Sequence, residues 1–143
     1  MSSTLETCHV NRRPLLRERS ESILQWVQYL PPQERELMLL RHRDGKTYAA
    51  IANLMGRDRW SSRCVANRIK RLERRVDSMV FKYVALRGDK IPKGMRLFAR
   101  RRFLHGLSLR RVADLQGVKM HVVRGWQTQV RAMVEGVMLE VRP

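Results

Sequence analysis

The chain has 143 residues and a formal net charge of +17, with 43% hydrophobic and 6% aromatic residues. That length holds one ordinary core or two small ones, and a charge of that size selects polyanions, nucleic acid first, over neutral ligands. With no long apolar run, no lone amphipathic anchor and no apolar signal core in Met1 to Val10, a membrane or exported protein is not expected, and a cytoplasmic, nucleoid-associated one is.

In chain order, residues 1–13 read as a flexible basic arm without periodicity. From Pro14, Leu16, Ile23, Leu24, Val27 and Leu30 recur at helical spacing, which predicts a lead helix ending before Pro31-Pro32. The double proline opens a helix from Gln33 to about Arg43, with Glu34 and Glu36 near its positive end and Leu37, Met38 and Leu40 facing a core. A short helix over Tyr48 to Met55 follows. After a turn, a long helix is expected from about Ser62 to Arg87, because Val65, Ile69, Leu72, Val76, Val80 and Tyr83 form one continuous apolar stripe. Gly88-Asp89-Lys90 interrupts the chain. Helices from about Met95 to His105, from Leu109 to Gln116 and from about Met120 to Val141 complete it, the last carrying Val123, Trp126, Val130, Met133, Val134 and Val137. No stretch alternates with period two, so the fold is expected to be all-α.

The second half repeats the first. Gly45-Lys46-Thr47 and Gly106-Leu107-Ser108 each precede a short helix with matched apolar and alanine positions, closed by Gly56 or Gly117. Ile91-Pro92 echoes Leu30-Pro31 at the same offset. Each copy reads as a helix-turn-helix whose Thr47 or Ser108 hydroxyl caps the first helix. The expected division is therefore 14–88, the lead helix and first unit, and 89–143, the second unit with its long C-terminal helix. The charge is split evenly: residues 1–30 carry +1, residues 31–88 carry +8 and residues 89–143 carry +8. The first copy has a longer turn, Arg57 to Ser61, in which Trp60 either packs back on its own domain or presses on a partner. Gly125, inside the last helix, points to a close approach by either backbone or another surface, since glycine there costs about 1 kcal/mol against alanine.

The run from Leu30-Pro31-Pro32-Gln33-Glu34 through Gly45-Lys46-Thr47-Tyr48-Ala49-Ala50-Ile51-Ala52-Asn53-Leu54-Met55-Gly56 resembles region four of bacterial sigma factors over about residues 29–76. Residues 91–131 are similar to it more weakly, with Lys119 where the Ser or Thr cap of the recognition helix is usual. Nothing resembles the promoter-melting region two. The closing segment, Trp126 to Val141, resembles the tail of small Q-class antitermination proteins and their AlpA-type prophage relatives. The resemblance implies a phage or prophage regulator that binds double-stranded DNA near a promoter, engages bacterial RNA polymerase, sometimes with its sigma factor, and travels with it past terminators. The two other readings are a promoter-bound activator or repressor and a DNA-recognition protein like a phage terminase small subunit.

A helix-turn-helix lays its second helix in the major groove. In the first copy this places Ser62, Arg63, Ala66, Asn67 and Lys70 at base edges, where Arg63 suits guanine and Asn67 suits adenine. Thr47, Arg57, Arg59, Arg68, Arg71, Arg74 and Arg75 are the candidates for phosphate contact; the last helix face among them could equally be solvated. In the second unit Arg110, Arg111, Lys119, His121, Arg124 and Gln127 are candidates for DNA or polymerase. Cys8 and Cys64 lack metal-site spacing, the histidines are scattered, and no phosphate loop or paired-carboxylate motif is present. No cofactor, metal or catalysis is expected, and a monomer or small oligomer on DNA is.

Overall fold

In the computed structural model, the described residues are 17–56 and 59–141, with side chains described up to residue 137. The arm at 1–13, the start of the lead helix with Pro14 and Leu16, and Arg57 all lie outside them. Among the described residues every regular element is helical. The chain divides into two compact units, Met1–Glu73 and Arg74–Pro143.

The first unit opens with α1, residues 17–24, and a 3-10 turn at Val27–Tyr29. Then come α2, Pro32–Met38, which widens into a π turn at Leu39–Arg43, and α3, Tyr48–Met55. α4 runs from Ser62 to Asp77. Ile23, Val27, Leu30, Leu37, Met38, Ile51, Val65, Ile69 and Leu72 are all buried, so the helical stripes meet in one small core. Thr47 caps α3, its Oγ1 accepting the Ala50 amide at 3.1 Å. Ser61 caps α4 in the same way, accepting from the Cys64 amide at 3.1 Å. These hydroxyls satisfy amides that a helix start leaves unpaired.

The long helix expected over 62–87 is two helices, α4 and α5 (Met79–Arg87). Ser78 separates them with φ −72° and ψ 144°. Its hydroxyl donates to the Arg75 carbonyl at 2.8 Å and accepts the Phe81 amide at 3.3 Å, closing one helix and opening the next. The apolar stripe hides this break because Val76, Val80 and Tyr83 keep helical spacing across it, yet after the break it is Phe81 and Val84 that are buried, while Val80 and Tyr83 are half-buried.

With the break in place, the duplication reaches further back than Ile91-Pro92. α5 stands where α1 stands in the first unit, and a 3-10 turn at Gly88–Lys90 matches that at Val27–Tyr29. α6 (Lys93–Ala99), its π turn at Arg100–Leu104, α7 (Leu109–Gln116) and α8 (Met120–Val141) follow in the same order. Residues 79–87 are thus the second unit's own lead helix, and α5 packs against the Arg100–Leu104 turn and α8. This is why the division falls ahead of Gly88. Of the apolar residues at this helix, Phe81 and Val84 enter the core, whereas Met79 and Leu86 remain exposed.

Matched arginines hold both copies in shape. Arg35 donates to the Leu30 carbonyl at 3.1 Å, and Arg96 donates through Nε to the Ile91 carbonyl at 2.8 Å and through Nη2 to that of Asp89 at 2.7 Å. Arg41 and Arg102, each inside a π turn, donate to the Lys46 and Leu107 carbonyls, both at 3.0 Å. Hydrogen bonds from charged donors contribute about 1.5–3 kcal/mol each. The loop between π turn and short helix also passes through Gly106 at φ 70°. The left-handed backbone there favours glycine, and a Cβ would in addition make the Arg75 guanidinium shift.

Candidate nucleic-acid interface

α4 is two-faced by its sequence. Val65, Ile69 and Leu72 are buried, while Ser62, Arg63, Asn67 and Lys70 are exposed and Ala66 is half-buried. The 3.6-residue period sets Arg63, Asn67 and Lys70 in one row, each a turn from the next. Ser61 fixes where this row starts, and α3, held at its own start by Thr47, supports it. The Thr47 hydroxyl, a candidate for phosphate contact, accepts the Ala50 amide and keeps its own O–H as a donor.

Around the row, Arg59, Arg68, Arg71 and Arg74 are exposed and Arg75 is half-buried. The Arg68 guanidinium lies 4.6 Å from the centre of the Trp60 ring, so half-buried Trp60 packs within its own unit. Arg75 belongs to the second unit, where it donates to the Leu104 carbonyl at 3.4 Å.

In the second unit Arg110, Arg111, Lys119, His121 and Arg124 are exposed. Gln127 is half-buried and accepts from Arg102 Nε at 2.8 Å, so it braces α8 against the π turn. Burial and the charge of Arg131 push the Arg102 guanidinium below its usual range. α8 lacks the hydroxyl cap of α4, and the Val122 amide turns back to the Lys119 carbonyl at 3.0 Å instead. Gly125 is exposed and a Cβ built on it would have no neighbour within 4 Å, so the expected close approach is absent among the described residues. Gly125→Ala should consequently stabilise the protein by about 1 kcal/mol; a loss of stability in urea denaturation would mean that another surface does reach this helix.

A polar cluster that the sequence pattern did not single out ties α1 to α4. Ser20 Oγ lies 2.9 Å from His42 Nδ1, His42 Nε2 lies 3.2 Å from Glu73 Oε1, and Arg19 reaches Glu73 Oε2 at 3.3 Å. The hydrogen bond from His42, supported by its charge and those of Arg19 and Arg41, holds the Glu73 carboxyl below the usual carboxylate range against the opposing effect of burial. A depressed carboxyl contributes stability above its ordinary value of 4.5 and loses it as pH falls through the lower folded value. Wild-type stability should accordingly drop with pH in that acid window, and Glu73→Gln should flatten the drop. Melting temperatures between pH 6 and 3 measure this, and identical profiles would show that Glu73 carries no such coupling.

No group of three or more His, Cys, Asp or Glu among the described residues is placed to hold a metal ion. No helix among them is long and apolar enough to cross a membrane.

Taken together, the capped α3, the turn and the two-faced α4 in a strongly basic chain define a helix-turn-helix of the kind found in DNA-binding transcription regulators. Residues 20–76 match the family described as Sigma-70, region 4, a stretch that runs from within the lead helix through α2 and α3 to the last turn of α4. This family comprises DNA-binding regulators and is not a class of enzymes. No curated protein and no solved structure matches the chain.

Proposed function

We propose that the protein is a sequence-specific regulator of transcription that reads double-stranded DNA with α4 and engages RNA polymerase, acting as a Q-type processive antitermination factor of phage or prophage origin in the bacterial cytoplasm. The observation that carries the DNA-reading part is the exposed row of Arg63, Asn67 and Lys70 on a capped helix whose other face is buried. Arg63 bridges the two acceptors of a guanine and Asn67 pairs with an adenine one turn along. Arg59, Arg68, Arg71 and Arg74 lie beside that row and meet phosphates, which positions the helix without reading sequence. Antitermination is supported by the resemblance of the Trp126–Val141 segment to Q-class tails and by a second unit that presents Lys119, just before α8, and His121 and Arg124 on it to solvent.

Arg63→Ala and Asn67→Ala should each weaken binding to the cognate site by about 1–3 kcal/mol with little effect on random duplex. Equal losses on both would assign these side chains to phosphate. Antitermination itself is tested by transcribing a template that carries the cognate promoter region and a downstream intrinsic terminator. Readthrough that rises with the protein supports the proposal. DNA binding with unchanged readthrough leaves a regulator that acts only at its promoter, and large rings in solution would point to a packaging role.

A further inference from the structure

We propose that a cleft in the first unit, formed by α1, the Leu39–Arg43 turn, the start of α3 and α4, is a seat for a phosphate group. Three cationic side chains from three different elements line it: Arg19, Arg41 and Lys70. Its volume of about 440 Å³ admits a phosphate with part of the molecule that bears it, within the range of small-ligand sites. Glu73 is the sole carboxylate in the lining, and it is already held by Arg19 and His42 at 3.3 and 3.2 Å. The lining therefore carries an excess of positive charge with its one negative group internally balanced. Arg41 is also oriented: it lies 4.1 Å from the centre of the Tyr48 ring and donates to the Lys46 carbonyl at 3.0 Å, so its guanidinium is in place before any ligand arrives.

The duplication supplies an internal control. At the positions that match Arg19, Ser20, His42 and Tyr48, the second unit has Val80, Phe81, Phe103 and Leu109, with Thr128 and Arg131 in place of Lys70 and Glu73. Phe81 and Phe103 are buried, and Arg131 stacks 5.9 Å from the Phe103 ring. Where the lead helix packs on the π turn, one copy thus places two buried phenylalanines and the other places polar groups around a basic cleft. The first copy keeps Arg41 as the second keeps Arg102, and adds Arg19 and Lys70 beside it, so its cleft gathers a positive charge that a ligand of opposite charge suits. The phosphate can belong to a nucleic-acid backbone or to a soluble nucleotide.

The experiment titrates the full-length protein with inorganic phosphate and follows the His42 imidazole and Tyr48 ring resonances, with sodium chloride at equal ionic strength as the reference. Saturable shifts are expected in wild type, with affinity lowered about tenfold or more by Arg19→Gln or Lys70→Gln, as loss of a charge-assisted hydrogen bond requires. Unchanged circular dichroism confirms that both variants fold. Competition by random-sequence duplex assigns the seat to backbone phosphate, and competition by adenosine monophosphate alone assigns it to a nucleotide; both support a phosphate seat. Shifts no larger than those from chloride, or equal affinity in the variants, would overturn it. The phosphate arm needs no DNA binding, and because Lys70 stands in both the α4 row and the cleft, it is Arg19→Gln that separates the seat from the base-reading role of Arg63 and Asn67.

Discussion

Phe98→Ala lowers the stability of the second unit by about 3–5 kcal/mol, and Leu37→Ala lowers that of the first by about 2–5 kcal/mol. The two residues occupy matched positions in α6 and α2, and both are fully buried. Phe98 also meets Phe103 edge-on at 6.0 Å and Trp126 at 5.7 Å, so its ring joins the π turn to α8. Its removal leaves a cavity beside the paired rings. Because a small domain is stable by only about 5–15 kcal/mol in all, either change takes a large share. Urea denaturation followed by Trp126 fluorescence measures the first, and a loss below about 1 kcal/mol would contradict the packing described.

Binding to duplex DNA falls about a thousandfold between about 50 and 200 mM salt if about six phosphates are neutralised, because each contact releases condensed counterions. The expected slope of log K against log salt is about −5. Arg35, Arg96 and Arg102 should leave it little changed when replaced, since their guanidiniums hold main-chain carbonyls inside the protein. Arg59, Arg71 and Arg74 should each reduce it by about one. A wild-type slope near −1 would mean that the net charge of +17 is spread around the molecule and not gathered on a DNA-facing side.

The arginines are unequally legible in the sequence. As a composition they point to a polyanion, and that inference needs only their number. Which of them face outward depends on the neighbours of each side chain. Arg35 and Arg96 recur at the same offset as Gly45 and Gly106, so the duplication held a signal that they serve the fold. Gln127 looked like a groove-facing residue by its register on α8, but Arg102 claims it from a distant part of the chain. The Ser20–His42–Glu73 link has no signature at all, because its members come from three elements far apart in sequence.

By itself, the sequence determined the all-helical class, the duplicated frame, the hydroxyl caps at Thr47 and Ser108 and the two-faced character of α4. Each depends on interactions within a few residues, where spacing and residue type suffice. Tertiary structure alone decided that Ser78 breaks the apolar stripe and that α5 is the lead helix of the second unit. It also decided that no described residue crowds Gly125 and that one copy lines a basic cleft where the other buries phenylalanines. The reason is physical: a stripe with period 3.6 is equally satisfied by one helix or by two, and only the partners available to Phe81 and Val84 choose between them.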